Sequence, residues 1–221
     1  MYTKNQISLS SSFRFAWDTF RARPVLYVGA ILITEALWYI VRTAQIAFHT
    51  GSVGFMPSFL SFLVFGIVAN LVFIALTNFF LRAYARPSEI QILDLLDFTH
   101  WKMLTFLFIV GGAVFLLGLL LLILPGLVFL TLFIFTPYVV ADTGMTPFKG
   151  MRRALELSLY NVHKLAVVVL VTLSGSIAYF LLLSYVGTSE VLANTISIII
   201  GVITIPLAAL AGVHAYKTLL K

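Results

Sequence analysis

The sequence predicts an all-α fold: a polytopic integral membrane protein with six transmembrane helices in three repeats of an amphipathic helix plus a hairpin. Hydrophobic residues make up 61% of the 221 residues and charged residues only 10%, whereas soluble domains contain roughly 25% charged residues. Residues 103–141 contain no Asp, Glu, Lys, Arg or His, although one membrane-spanning helix needs only about 20 apolar residues. The apolar runs are continuous rather than alternating, which favours helices over a transmembrane barrel.

Six apolar runs are the predicted spans. The long uncharged stretch is interrupted near its middle by Pro125-Gly126, a turn signal, and it therefore predicts a helical hairpin. In chain order the spans cover residues 25–44, 58–81, 104–124, 127–141, 165–185 and 191–213. We expect a single transmembrane domain over residues 1–221, with repeat units over about 8–81, 88–141 and 146–213.

The basic residues are distributed unevenly over this topology. Of the 14 Lys and Arg residues, all except Arg42 fall on the side that holds both chain termini. The positive-inside rule therefore predicts cytoplasmic termini, with the turns near Gly51, Pro125 and Thr188 on the opposite side. The net charge of +6 is dispersed between apolar spans, so nucleic acid is not an expected partner.

Each pair of spans follows an amphipathic segment. In the first segment, residues 12–24, one helical face holds Phe13, Ala16, Trp17 and Phe20. In the second, residues 88–101, Ser88 with Gln91 forms a capping-box pattern. In the third, residues 146–161, Thr146 suits the N-cap and Pro147 the first helical position. The apolar stripe of this third segment comprises Phe148, Met151, Leu155 and Leu159, and the opposite stripe Lys149, Arg152, Arg153 and Glu156.

Two interpretations of these segments stay open. They contact anionic lipid at the membrane surface, or they are connectors packed under the bundle whose basic residues only set the topology. Asp94 and Asp97 offset the positive charge of the second segment, which favours a connector there. For the other two segments the interpretations are equally good, and the candidate headgroup contacts are Arg14, Arg21, Arg152 and Arg153.

The second half of the chain carries a recognisable series of motifs. It contains LPG at residues 124–126, Pro137 within an apolar span, Asp142, a Gly-x-x-Pro turn at 144–147, A-x-E-L-S before Asn161, and VLANTISIII from Val191. This series resembles the YciC-like bacterial inner-membrane proteins, and also the membrane domain attached to some glycerophosphodiester phosphodiesterases. The resemblance implies a multi-pass protein of the bacterial inner membrane, in a family of undefined biochemical role. The catalytic domain of the phosphodiesterases has no room in this chain, so their activity is not implied.

Catalytic motifs are not found in the sequence. There are no cysteines, the four histidines lack metal-binding spacing, and no Gly-rich phosphate loop with its lysine occurs. Ser174-Gly175-Ser176 with His214 suggests a serine nucleophile, but their predicted depths differ and helix packing is the better interpretation. We therefore expect no enzyme activity, no cofactor and no metal.

Glu35 is the residue of most interest within a span. It lies about ten residues into the first span, roughly 15 Å deep at about 1.5 Å per residue, where an ionisable group indicates function by default. The candidate intramembrane polar site comprises Glu35, Asn70, Asn78 and Asn194. A structural glutamic acid bonded to an amide or tyrosine is the favoured alternative, because the only other charge in the predicted spans, Arg42, lies near the outer interface.

Three functions follow from these observations. We favour a non-enzymatic membrane protein that organises lipid or a partner protein at the cytoplasmic face. The alternatives are a small proton- or cation-coupled transporter or channel, and an accessory subunit of a lipid-handling enzyme. Membrane lipids are the expected partners, together with another membrane protein or a second copy of the chain.

Overall fold

A computed structural model describes residues 7–51, 55–121, 131–187 and 189–220, and every element within these ranges is helical, with no strand. The helices are α1 (Leu9–Ala22), α2 (Pro24–Gly51), α3 (Phe55–Ala85), α4 (Trp101–Leu121), α5 (Thr136–Thr143), α6 (Pro147–Ser158), α7 (Val162–Leu181) and α8 (Glu190–Leu219). Shorter 3-10 helices cover Ile92–Leu96 and Leu159–Asn161, and a π-helical turn covers Leu182–Val186.

Four helical stretches of the described chain are long and apolar enough to cross a membrane. They are Pro24–Ala44 of α2, Val64–Ala85 of α3, Pro147–Val186, which joins α6 and α7 with the short turns beside them, and Val191–Leu219 of α8. Two shorter apolar helical stretches, Trp101–Ala113 within α4 and Thr131–Thr143 ending in α5, overlap the predicted third and fourth spans. The chain is thus all-α, and its long apolar helices are compatible with a multi-pass membrane protein. The predicted turns at Pro125 and Thr188 fall outside the described residues.

Three buried apolar clusters hold the bundle together, and each joins two of the helices α3, α5 and α8. Representative pairs within the clusters are Phe79 with Leu210, Val139 with Tyr216, and Ile74 with Val140. These three helices therefore form the centre of the bundle. Helices α2, α4 and α7 pack on the outside of this centre.

The amphipathic segments lie at the end of the bundle that also holds residues 7 and 220, which we call the terminal face. Helix α1 packs on α8, the 3-10 helix Ile92–Leu96 packs on α3, and α6 packs on α5. Each segment thus rests on the last helix of the preceding predicted repeat unit, with the first unit resting on the third. Because the first segment packs on α8, the contacts between the three predicted units form a closed ring.

The structure corrects one predicted helix start and refines another. Pro87–Glu89 forms a turn, and the capping box belongs to Gln91 and Asp94, so the prediction of Ser88 with Gln91 is wrong. The second segment consequently forms only five residues of 3-10 helix. Thr146 and Pro147 occupy the predicted N-cap and first position of α6, although the Thr146 hydroxyl makes no capping hydrogen bond.

Candidate functional site

Helix α1 presents three faces, not the two predicted. Its buried face consists of Ser12, Ala16, Thr19 and Phe20. Arg14, Asp18 and Arg21 are exposed on a second face. Trp17, between them in the helical rotation, is 49% exposed. An apolar aromatic surface and a charged surface therefore lie side by side on the outside of the molecule.

Helix α6 has the same three-faced organisation. Its buried face consists of Pro147, Gly150, Ala154 and Ser158. A Cβ atom added to Gly150 would lie 2.5 Å from Cγ2 of Val140 on α5, so only glycine permits this close approach. These small residues, together with Met151 of the predicted apolar stripe, thus form the contact with the bundle.

The predicted apolar stripe of α6 points outward at both of its ends. Phe148 is 65% and Leu159 54% exposed, although the Phe148 ring also contacts that of Phe106 at 5.7 Å. Charged residues occupy the third face, where the Arg152 side chain is 85% exposed. An exposed apolar stripe beside a basic one is the pattern of a helix that lies in a membrane interface.

Three of the four predicted headgroup contacts lie at the surface. Arg14, Arg21 and Arg152 are exposed. Arg153 is only 29% exposed, and its guanidinium lies 3.3 Å from the Glu156 carboxylate. Arg153 is therefore partly buried, and less of its side chain is open to a lipid headgroup than in the other three arginines.

Contacts between residues far apart in sequence tie α1 and the end of α5 to α8. Ser12 Oγ and His214 Nδ1 of α8 are hydrogen-bonded at 3.2 Å, and the Phe15 ring stacks on the His214 ring at 4.7 Å. At the end of α5, the Asp142 carboxylate accepts from Lys217 Nζ at 2.6 Å and from the Tyr216 hydroxyl at 3.0 Å. The terminal face is consequently tied to α8 on two sides.

The second segment is fixed by ion pairs to α3. Arg82 lies 2.7 Å from a carboxylate oxygen of both Asp94 and Asp97, and Asn78 donates to the Asp97 carbonyl at 2.8 Å. The Gln91 backbone N–H and the Arg82 guanidinium together hold the pKa of Asp94 below its usual range, against the opposing effect of partial burial. This geometry supports the connector interpretation of the second segment.

The residues of the predicted intramembrane site lie apart. Asn70 donates to Thr105 Oγ1 of α4 at 2.9 Å, whereas Asn78 bonds the segment beyond α3. Within the described ranges Glu35 makes no hydrogen bond or ion pair, and Asn194 lies in the first turns of α8. Asn70 and Asn78 are eight positions apart on one helix, about 12 Å at 1.5 Å per residue, so the structure does not gather these four side chains into one site.

The serine and histidine that suggested a nucleophile also lie apart. Gly175 approaches α8 so closely that an added Cβ would lie 3.0 Å from the Ser197 carbonyl oxygen. Ser174 bonds Thr204 of α8 at 3.1 Å, while His214 bonds Ser12. The interpretation of these small residues as a helix-packing face is confirmed.

Sequence patterns did not reveal the role of His214 in positioning α1, or of Asp142 and Lys217 in joining α5 to α8. Their contacts join residues 202 and 75 positions apart in the chain, so no local spacing reveals them. One signal was present: a histidine and a lysine follow the last apolar run, where α8 continues to Leu219 beyond the predicted end at residue 213.

No family model, curated protein or solved structure matches this chain. The resemblance to YciC-like proteins therefore stays a prediction. Among the residues that the structure describes, no group of three or more His, Cys, Asp or Glu side chains could hold a metal ion.

Proposed function

We propose that the chain is a non-enzymatic, multi-pass protein of the bacterial inner membrane that organises lipid at its cytoplasmic face through α1 and α6. The single observation that carries this proposal is the three-faced design of both helices. Their small residues are buried against the bundle, while Trp17, Phe148 and Leu159 are exposed beside exposed arginines. Apolar side chains in the acyl boundary and arginines at phosphate level are the features of an interfacial helix.

We also propose six membrane spans in three repeat units, and a common register between the first and third units supports the repeat. Shifting the first unit by 138 residues superimposes the N-caps Ser8 and Thr146 and the starts of α2 and α7. The same shift matches pairs of buried residues: Ala16 with Ala154, Tyr27 with Leu165, and Ile31 with Val169. The equivalent helices α1 and α6 thus meet the bundle through equivalent positions.

The orientation in this proposal follows from charge. Placing the terminal face in the cytoplasm puts all Lys and Arg residues except Arg42 on that side. Anionic lipid attracts each basic residue near the membrane surface by about 1 kcal/mol. A partner membrane protein or a second copy would meet the same surface.

Lipid selectivity measured with spin-labelled lipids tests this proposal. In bilayers of mixed composition, we expect the protein to enrich phosphatidylglycerol over phosphatidylcholine in its lipid shell. Replacing Arg14, Arg21, Arg152 and Arg153 with Gln should remove most of this preference. The double variant Arg86→Gln with Lys102→Gln, which removes two cations outside α1 and α6, should keep more of the preference than the four-arginine variant does. Equal selectivity in the wild type and the four-arginine variant would leave α1 and α6 as connectors.

A small proton- or cation-coupled transporter is the second candidate, and Glu35 is the observation that favours it. Its carboxyl group lies in the apolar helix α2 without a hydrogen-bond partner in the described part of the chain. A structural glutamic acid would need such a partner.

A further inference from the structure

An apolar groove runs along the outside of α2 where this helix leaves the terminal face. The groove has a volume of about 770 Å³, and its long wall comprises Val25, Gly29, Leu32 and Ile33. Ile92 of the 3-10 helix forms the opposite wall, and Arg23 lies at the end of the groove nearest the terminal face. The groove therefore has an apolar body and a cationic end.

The apolar wall faces outward from the bundle. Val25 is 84%, Leu32 47% and Ile33 45% exposed, because the buried face of α2 lies on the opposite side, at Tyr27, Ala30 and Ile31. In a bilayer such a surface is covered by hydrocarbon, so an acyl chain is the natural occupant.

Gly29 faces open space in this groove. A Cβ atom added there would meet no atom within 4 Å. The residues at the same distance from the start of α4 and α7 are Phe106 and Val167, and Phe106 fills its position with a ring in contact with Phe148. Only α2, among these three helices, has glycine at this position.

Arg23 supplies a positive charge that no carboxylate neutralises in the described chain. Its guanidinium donates to the Ile90 carbonyl at 2.8 Å and to the Ser88 carbonyl. These are neutral acceptors, and a guanidinium has five N–H donors, so donors are left for a phosphate group. Two exposed acids lie nearby in the chain or beside its partners: Asp18 is on the charged face of α1, and Glu89, between Ser88 and Ile90, lies 3.8 Å from Arg86.

We propose that this groove binds one anionic glycerophospholipid, with an acyl chain along Gly29 and the phosphate on Arg23. The inference deepens the proposed function and rests on one part of it, the orientation that places the terminal face at headgroup level. It adds a single retained lipid to the exchanging shell that α1 and α6 select.

Native mass spectrometry of the protein, released from nanodiscs that contain equal phosphatidylglycerol and phosphatidylcholine of the same chain length, tests the groove. We expect the wild type to retain one phosphatidylglycerol and Gly29→Leu to lose it, because the leucine side chain occupies the groove. Gly66→Leu is the matched control, since a Cβ on Gly66 of α3 also meets nothing within 4 Å, and it should retain the lipid.

The charge is tested with Arg23→Gln, which should abolish the preference for phosphatidylglycerol, and with Arg23→Lys, which should keep most of it. Arg86→Gln is the control for loss of a nearby cation. Thermal unfolding of each variant separates lipid loss from misfolding, and Gly29→Leu alone tests the groove if Arg23→Gln unfolds.

Retention of the lipid by Gly29→Leu would overturn the inference, as would equal retention of phosphatidylcholine. A dimer mass lost on Gly29→Leu would overturn it in favour of a second copy in the groove.

If any of these results appears while the spin-label selectivity of the lipid shell depends on α1 and α6, the groove fails and the proposed function stands. If shell selectivity does not depend on α1 and α6 but a retained lipid still depends on Gly29, the groove stands and the proposed function fails.

Discussion

At the scale of single residues, glycine sets how closely the amphipathic helices approach the bundle. Gly150 faces Val140 at a distance that no Cβ atom tolerates, and Val140 is itself fully buried. Hydropathy patterns do not reveal such a contact, because glycine is neither apolar nor charged in a helical projection. The sequence therefore predicted α6 correctly but did not show which of its residues pack on the bundle.

The first prediction concerns this contact. Gly150→Ala should lower the free energy of unfolding by about 1–3 kcal/mol, because the added methyl group overpacks the interface with α5. Gly111→Ala is the control: its Cβ meets nothing within 4 Å, and the better helix propensity of alanine should leave it neutral or slightly stabilised. Thermal unfolding in detergent measures both, and equal melting temperatures for the two variants would contradict the overpacking.

The second prediction concerns Glu35 and separates the two candidate functions. Because the described residues offer Glu35 no hydrogen-bond partner, Glu35→Gln should leave the melting temperature and the lipid selectivity unchanged. Proteoliposomes that contain a pH-sensitive dye provide the measurement, and we expect no proton flux with either protein. Flux in the wild type that Glu35→Gln abolishes would establish the transporter instead.

At the scale of elements, local sequence signals located the helices better than their partners. Pro147 begins α6 as predicted, whereas Pro24, the predicted end of the first segment, is the first residue of α2. Helix α8 continues through Pro206 without interruption. The start of the second segment was wrongly predicted because the Asp94 carboxylate caps the Gln91 N–H and pairs with Arg82 in the last turn of α3. Such a pairing across a turn depends on how the chain folds back on α3.

The third prediction concerns the pH dependence of this second segment. The pKa of Asp94 is lowered in the folded state, so its stabilisation is present above the unfolded value of about 3.9 and is lost as pH falls through the lower folded value. Asp94→Asn should cost about 0.2–1 kcal/mol at neutral pH, because the pair with Arg82 is partly exposed. The difference in melting temperature between wild type and variant should shrink from about pH 7 to about pH 3, and a constant difference would contradict it.

At the scale of the whole molecule, each amphipathic segment rests on the last helix of the preceding predicted unit, and the first segment rests on α8 of the third. Composition predicted the membrane environment, and the shared pattern of the first and third segments predicted the repeat. The closure of the ring was not predictable, because it depends on contacts such as Ser12 with His214 that join the two ends of the chain.

The fourth prediction concerns orientation. The chain has no cysteine, so single cysteines report without background. An impermeant maleimide added to right-side-out vesicles should label Val186→Cys, which is 65% exposed beyond α7. It should label Ser10→Cys, exposed on α1, only after the vesicles are opened. Labelling of Val186→Cys from the cytoplasmic side alone would reverse the topology.

The central claim, that α6 lies in the membrane interface, is tested most directly by the depth of two probes on that helix and its 3-10 extension. A fluorescent label on Leu159→Cys, from the exposed apolar stripe, should be quenched by lipids with brominated acyl chains and little by aqueous iodide. The same label on Lys149→Cys, from the charged face, should be quenched by iodide and little by brominated chains. If iodide quenches both labels equally and brominated lipid neither, α6 is a connector in water and the claim is wrong.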